Sequence, residues 1–121
     1  MSSDRAPVIL SFIAAKSTLA LELTDSIVLG RGDDTMSQAL YTDLTAYSAM
    51  DKGVSRRHAV LQRVKRTITI CDLDSRNGTY LNGARLVPHQ ARFLRHGDEI
   101  HLGKLMFHIH FEQHQIDQLT A

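Results

Sequence analysis

Asn77-Gly78, Asn82-Gly83 and Gly97-Asp98, with Gly103 close behind, cut the second half of this chain into pieces too short for helices. Each pair favours a tight reversal, because glycine and asparagine accept positive φ at little steric cost. Between the cuts lie strand-length runs rich in Ile, Val, Thr, Tyr and Phe: Ala59 to Val64, Thr67 to Leu73, Thr79 to Leu81, Glu99 to Leu102 and Lys104 to Phe111. The first half begins the same way, and Val8 to Ala14, Thr18 to Leu23 and Ser26 to Leu29 read as hairpin-connected strands. Many short strands with no helical repeat between them predict an all-β fold, an antiparallel sandwich rather than an alternating α/β sheet.

Strand alternation also assigns faces. Ile68 and Ile70 alternate with Thr67, Thr69 and Cys71, so the isoleucines are expected to point between the sheets. The pair Asn82-Gly83 suits a two-residue type I′ hairpin, which needs positive φ at both positions. One stretch breaks the pattern. Residues 32–53 show no alternation and form a long insertion, in which Leu40, Leu44 and Tyr47 are spaced for a turn or two of helix against the sandwich, with coil elsewhere. At ~150 residues per domain, a chain of 121 residues predicts a single domain, here residues 1–111. The polar segment from Glu112 to Ala121 is expected to be frayed or weakly helical.

Charge narrows the function. Lys+Arg 14 against Asp+Glu 13 leaves a net charge of +1, which argues against the broad basic footprint of a nucleic-acid binder. A single cysteine, Cys71, forms no internal disulfide, and no apolar run or leader marks a membrane span or export signal, so the expected location is the cytoplasm, with no membrane partner. Catalytic patterns are weak. His108 and His110 share one strand face but lack a third metal ligand at a recognisable spacing. Ser55 and His58 lack both a nucleophile elbow and a third triad member. The sequon Asn77-Gly78-Thr79 and the tripeptide Arg31-Gly32-Asp33 carry meaning only outside the cell and are read as chance. The expectation is a protein that is not an enzyme and holds neither metal nor cofactor.

The positive signal lies at strand ends: Gly30-Arg31, then Ser55-Arg56-Arg57-His58, then Asp72 to Thr79 (DLDSRNGT). A phosphomonoester carries about −1.5 to −2 charge and three acceptor oxygens, so a site for it needs guanidinium, hydroxyl and backbone N–H donors converging on one point. Arg31, Ser55, Arg56 and Arg76 offer the side-chain donors. Loops at one end of a sandwich cluster in space although they lie far apart in sequence.

With Asn82-Gly83 and Gly97 to Gly103 (GDEIHLG) following in order, the sequence from about Val8 to Phe111 resembles the forkhead-associated (FHA) phosphopeptide-binding domains. That resemblance implies a sandwich of two twisted antiparallel sheets, with about eleven strands and phosphothreonine-binding loops at one end. It implies that Arg31 contacts the phosphate, that Ser55 donates its hydroxyl to it, and that Arg56 adds a second cationic contact. By the same resemblance Arg76 shapes the phosphothreonine pocket and Asn77 bonds the peptide backbone, while Gly30, His58 and Gly78 support the loops. The implied partner is a threonine-phosphorylated protein or peptide, a Ser/Thr kinase or its substrate. Two features depart from the common family pattern: the long connection between Arg31 and Ser55, and Gly53, which stands where some members carry an arginine that selects an acidic residue three positions after the phosphothreonine. Lys52 is the nearest cation to that position. The alternative function is a phosphate-independent interaction domain on the same fold.

Overall fold

The computed structural model describes residues 6–111, and the segment from Glu112 to Ala121 lies outside the described residues. Eleven strands form two sheets that face each other across one core. The first sheet runs in the order β2 (Ser17–Leu23), β1 (Ala6–Phe12), β11 (Leu105–Phe111), β10 (Glu99–Leu102), β7 (Thr79–Leu81) and β8 (Ala84–Arg85). The second runs β4 (Tyr41–Asp43), β3 (Ser26–Gly30), β5 (Ala59–Val64), β6 (Thr67–Asp72) and β9 (Arg92–Phe93).

Alternation decides what is buried. Along β11, Leu105, Phe107, Ile109 and Phe111 are buried while Met106, His108 and His110 face outward. From the other sheet Leu29, Leu61, Ile68 and Ile70 meet them, each at most 1% exposed. Ile68 and Ile70 therefore point between the sheets as their spacing predicts. The Asn82-Gly83 hairpin also forms as expected: Leu81 pairs with Ala84 across it, and both turn residues have positive φ, 49° and 89°.

Three expectations need correcting. First, β2 and β3 are not a hairpin, because the chain crosses from one sheet to the other through Thr24 and Asp25. Neither residue takes the positive φ that a tight two-residue reversal needs. Second, the pairing is not wholly antiparallel: residues 31–40 carry the chain back so that β4 runs parallel to β3, with Val28 opposite Tyr41. Third, the insertion also holds the strand β4, and its helical part is a single 3-10 turn, Thr45–Tyr47. Leu40 is half exposed, whereas Leu44 and Ala49 are buried in the core, so its apolar residues anchor it singly and not as a helical stripe. Tyr47 adds a further anchor by stacking on Phe12, with ring centroids 3.9 Å apart. The insertion is thus fixed to the sandwich at the end where β3 stops and β5 begins.

Candidate functional site

Three loops meet at that end. The first leaves β3 at Gly30-Arg31, the second is residues 53–58 entering β5, and the third is residues 73–78 between β6 and β7. Ser55 sits at their junction. Its carbonyl accepts the Arg31 N–H at 3.2 Å, and its hydroxyl oxygen accepts the Arg76 N–H at 3.2 Å. A hydroxyl that accepts from the backbone keeps its own proton free for an external acceptor.

His58 fixes this arrangement from below. It is fully buried, its Nδ1 accepts the Ser55 N–H at 3.0 Å, and its Nε2 lies 2.8 Å from the Gly78 carbonyl. These partners define the neutral tautomer with the proton on Nε2, so the ring ties the second loop to the third. Burial pushes the imidazole below its ordinary pKa, against the opposing pull of the Gly78 carbonyl and Asp72. His58 bonds to the backbone of Ser55 and not to its hydroxyl, so the pair is not a nucleophile with its general base.

The third loop is built around Asp72, which is 1% exposed. Its carboxylate accepts the Ser75 hydroxyl at 2.6 Å, the Thr79 hydroxyl at 2.7 Å and the Ser75 N–H at 3.2 Å. Burial alone would raise this carboxyl, but the Ser75 and Thr79 hydrogen bonds outweigh it and hold the pKa below the ordinary value. The Ser75 oxygen in turn accepts the Gly78 N–H at 3.0 Å, and Gly78 takes a positive φ of 87°. Asn77 is left exposed at the tip, with its Nδ2 donating to the Gly53 carbonyl at 2.9 Å.

The first loop depends on a close approach. A Cβ on Gly30 would lie 1.7 Å from the Arg56 carbonyl oxygen, so only glycine allows β3 and the second loop to meet here. Tyr41 locks the contact: its hydroxyl donates to the Arg56 carbonyl at 2.5 Å and accepts the Gly32 N–H at 2.8 Å. Arg31 is pinned through its backbone, since the Thr45 hydroxyl reaches its carbonyl at 2.7 Å. Arg57 turns away from the junction and pairs with Asp33 at 2.7 Å, strapping the insertion to the second loop. Hydrogen bonds from Thr35 and Arg57 hold the Asp33 carboxyl down at about 2.

The side chains of Arg31 and Arg56 line one open cleft of about 900 Å³. Ser55, Arg76 and Asn77 do not line it; Arg76 bonds to Ser55, and Asn77 bonds to Gly53. The residues singled out from the sequence thus lie on three hydrogen-bonded loops, of which only Arg31 and Arg56 reach the cleft, while Tyr41, Asp72 and Ser75 emerge as supports to which the sequence assigned no role. Among the described residues no group of three His, Cys, Asp or Glu could hold a metal, and no helix is long and apolar enough to cross a membrane.

A rigid sandwich that presents arginines, a free hydroxyl proton and an asparagine from three interlocked loops defines a loop-mounted anion reader. More specifically, residues 27–103 match the FHA domain model, and the chain belongs to the FHA domain family. It is 36% identical over 86 residues to the E3 ubiquitin-protein ligase RNF8 of Rattus norvegicus, an alignment covering 70% of this chain and 16% of that protein. It is 41% identical over 54 residues to the oxoglutarate dehydrogenase inhibitor of Corynebacterium diphtheriae, covering 45% of this chain and 36% of the inhibitor. An FHA domain solved for the structural and functional analysis of phosphothreonine-dependent FHA domain interactions superimposes with a TM-score of 0.64 at 29% identity, covering 89% of this chain and 97% of its own.

Proposed function

We propose that this chain is a non-catalytic module that binds phosphothreonine in a partner protein, acting downstream of a Ser/Thr kinase. The observation that carries this reading is the state of Ser55: its oxygen is held by the Arg76 N–H and its proton is free, at the junction of the loops that present Arg31 and Arg56. Arg31 and Arg56 supply the charge, Ser55 the hydroxyl donor, and Asn77 the contact to peptide backbone, with Arg76 forming a wall. The partner is a threonine-phosphorylated protein, a kinase or its substrate, and the balanced net charge of +1 supports no role for nucleic acid. A reducing, cytoplasmic location is part of the same proposal, resting on the single unpaired Cys71.

Phosphoserine and phosphothreonine present the same charge, so any preference must come from the extra methyl group against the Arg76 stem and the backbone near Asn77. Burying one such group contributes ~0.8 kcal/mol, and an unfilled hollow adds a cavity cost to that. Matched peptides titrated by calorimetry should therefore rank phosphothreonine several-fold or more above phosphoserine, with the unphosphorylated peptide unbound. Equal binding of the phosphorylated and unphosphorylated peptides would replace this reading with the phosphate-independent one.

A further inference from the structure

A fourth loop closes this end of the sandwich beside Asn77. It is the turn between β10 and β11, where the Gly103 N–H donates to the Gly78 carbonyl at 2.9 Å and the Lys104 N–H donates to the Lys52 carbonyl at 2.8 Å. Asn77 bonds to the carbonyl of Gly53, the residue after Lys52, so residues 52–53, residues 77–78 and this turn form one hydrogen-bonded unit. Arg85 of β8 joins it through its side chain: Nε lies 2.8 Å from the point a Cβ on Gly78 would occupy, and the guanidinium stands 5.9 Å from the centre of the Tyr80 ring. Lys104 and Arg85 are exposed and Lys52 is half-buried. None of these three side chains has a hydrogen bond or ion pair among the described residues. Asp51 is the one acidic residue that adjoins any of them in the chain. Three cations therefore stand without a carboxylate partner around Gly78 and Gly103, in a chain whose net charge is only +1.

We propose that Lys52, Lys104 and Arg85 form a second anion subsite, which takes a second phosphorylated side chain of the same partner about two to four residues from the phosphothreonine. The inference rests on the phosphothreonine reading, since the first phosphate is what anchors the peptide. Gly53 and Ser55 are two residues apart, so at most ~7 Å of chain separates the edge of the patch from the residue whose hydroxyl meets that first phosphate. An extended peptide covers this span, with the reach of the lysine stems added, in about two to four residues. A phosphomonoester fits the patch better than a carboxylate. It brings about −1.5 to −2 charge and three acceptor oxygens, enough for one guanidinium and two ammonium groups at once. The lysines sit on flexible stems that can close on such a group, while the planar guanidinium of Arg85 is already placed against Gly78.

The test is a phosphothreonine peptide of otherwise alanine sequence, into which phosphoserine or glutamate is placed at each of the four positions on either side of the phosphothreonine. On one side only, the best phosphoserine position should bind about five- to twenty-fold tighter than alanine, and glutamate there should gain less. The gain should shrink as salt is raised. The variant with Lys52→Gln and Lys104→Gln together should hold the singly phosphorylated peptide within about two-fold of the parent and lose most of the gain from the second phosphate. Arg85→Gln should reduce that gain as well, with melting temperatures recorded to show that the variants fold. If the singly phosphorylated peptide binds but no position gains from a second phosphate, or the gain survives in the double lysine variant, the subsite is wrong while the phosphothreonine reading stands. A glutamate gain equal to that of phosphoserine would overturn the assignment to a second phosphate. If neither the singly nor the doubly phosphorylated peptide binds, the phosphothreonine reading falls and takes the subsite with it.

Discussion

A guanidinium and a hydroxyl recognise phosphate in different ways, and the two key side chains here are also held differently. The hydrogen bonds that fix Arg31 run through its backbone, so its side chain is spare for a ligand. Arg31→Ala should therefore weaken phosphopeptide binding by ~10-fold to over 100-fold, given roughly 1.5 to 3 kcal/mol for hydrogen bonds to a charged group. Thermal stability should stay within about 0.5 kcal/mol of the parent, as for most surface changes. Ser55→Ala should also abolish tight binding, and a titration showing either variant bound as tightly as the parent would move the phosphate site elsewhere. The residues proposed to face the ligand were legible in the sequence because arginine, serine and asparagine at strand ends have few structural reasons to gather there. Their supports were not. Tyr41 stands in a polar insertion and reaches Arg56 across the fold, and Asp72 reads as the end of a strand until Ser75 and Thr79 close around it. Contacts of that kind depend on tertiary placement that no local spacing encodes.

The longer strands were legible because one buried face forces a period of two on the sequence, as in β10 and β11. Ile70 is fully buried in β6, so Ile70→Ala should cost ~2 to 5 kcal/mol in chemical denaturation, and an unchanged midpoint would mean that its inward register is wrong. On the opposite face of β6, Thr69 is 5% exposed and its Oγ1 has no hydrogen-bond partner. Thr69→Val keeps the shape and removes the unpaired hydroxyl, so it should raise stability by about 1 kcal/mol, visible as a higher melting temperature. The short strands escaped detection for a physical reason: β8 and β9 have two residues each and β4 three, too few to show a period. The parallel return of β4 and the sheet change between β2 and β3 are likewise set by packing at long range, with Tyr47 stacked on Phe12 as one of the anchors.

For the molecule as a whole, acid should loosen the same scaffold that positions the loops. His58 is held below the ordinary histidine value of 6.5 by burial, and His110 by burial and by the neighbouring His96 and His108. Each binds fewer protons folded than unfolded just below that value, so stability is complete above pH 6.5 and falls as the pH drops beneath it toward the folded-state values. Melting temperatures should be lower near pH ~5.5 than near pH ~7.5, and His110→Asn should narrow the difference. A flat profile would contradict the buried, neutral state assigned to His58.

In the proposed function one end of the sandwich, and not a sheet face, reads the phosphate. Backbone amide chemical shifts followed by NMR during titration with a phosphothreonine peptide test it most directly. The largest, saturable shifts are predicted at Arg31, Ser55, Arg56, Arg76 and Asn77, and the unphosphorylated peptide should leave those amides unmoved. Saturable shifts centred instead on the outer strand faces, around His108 and His110 or around Phe93, would contradict the account.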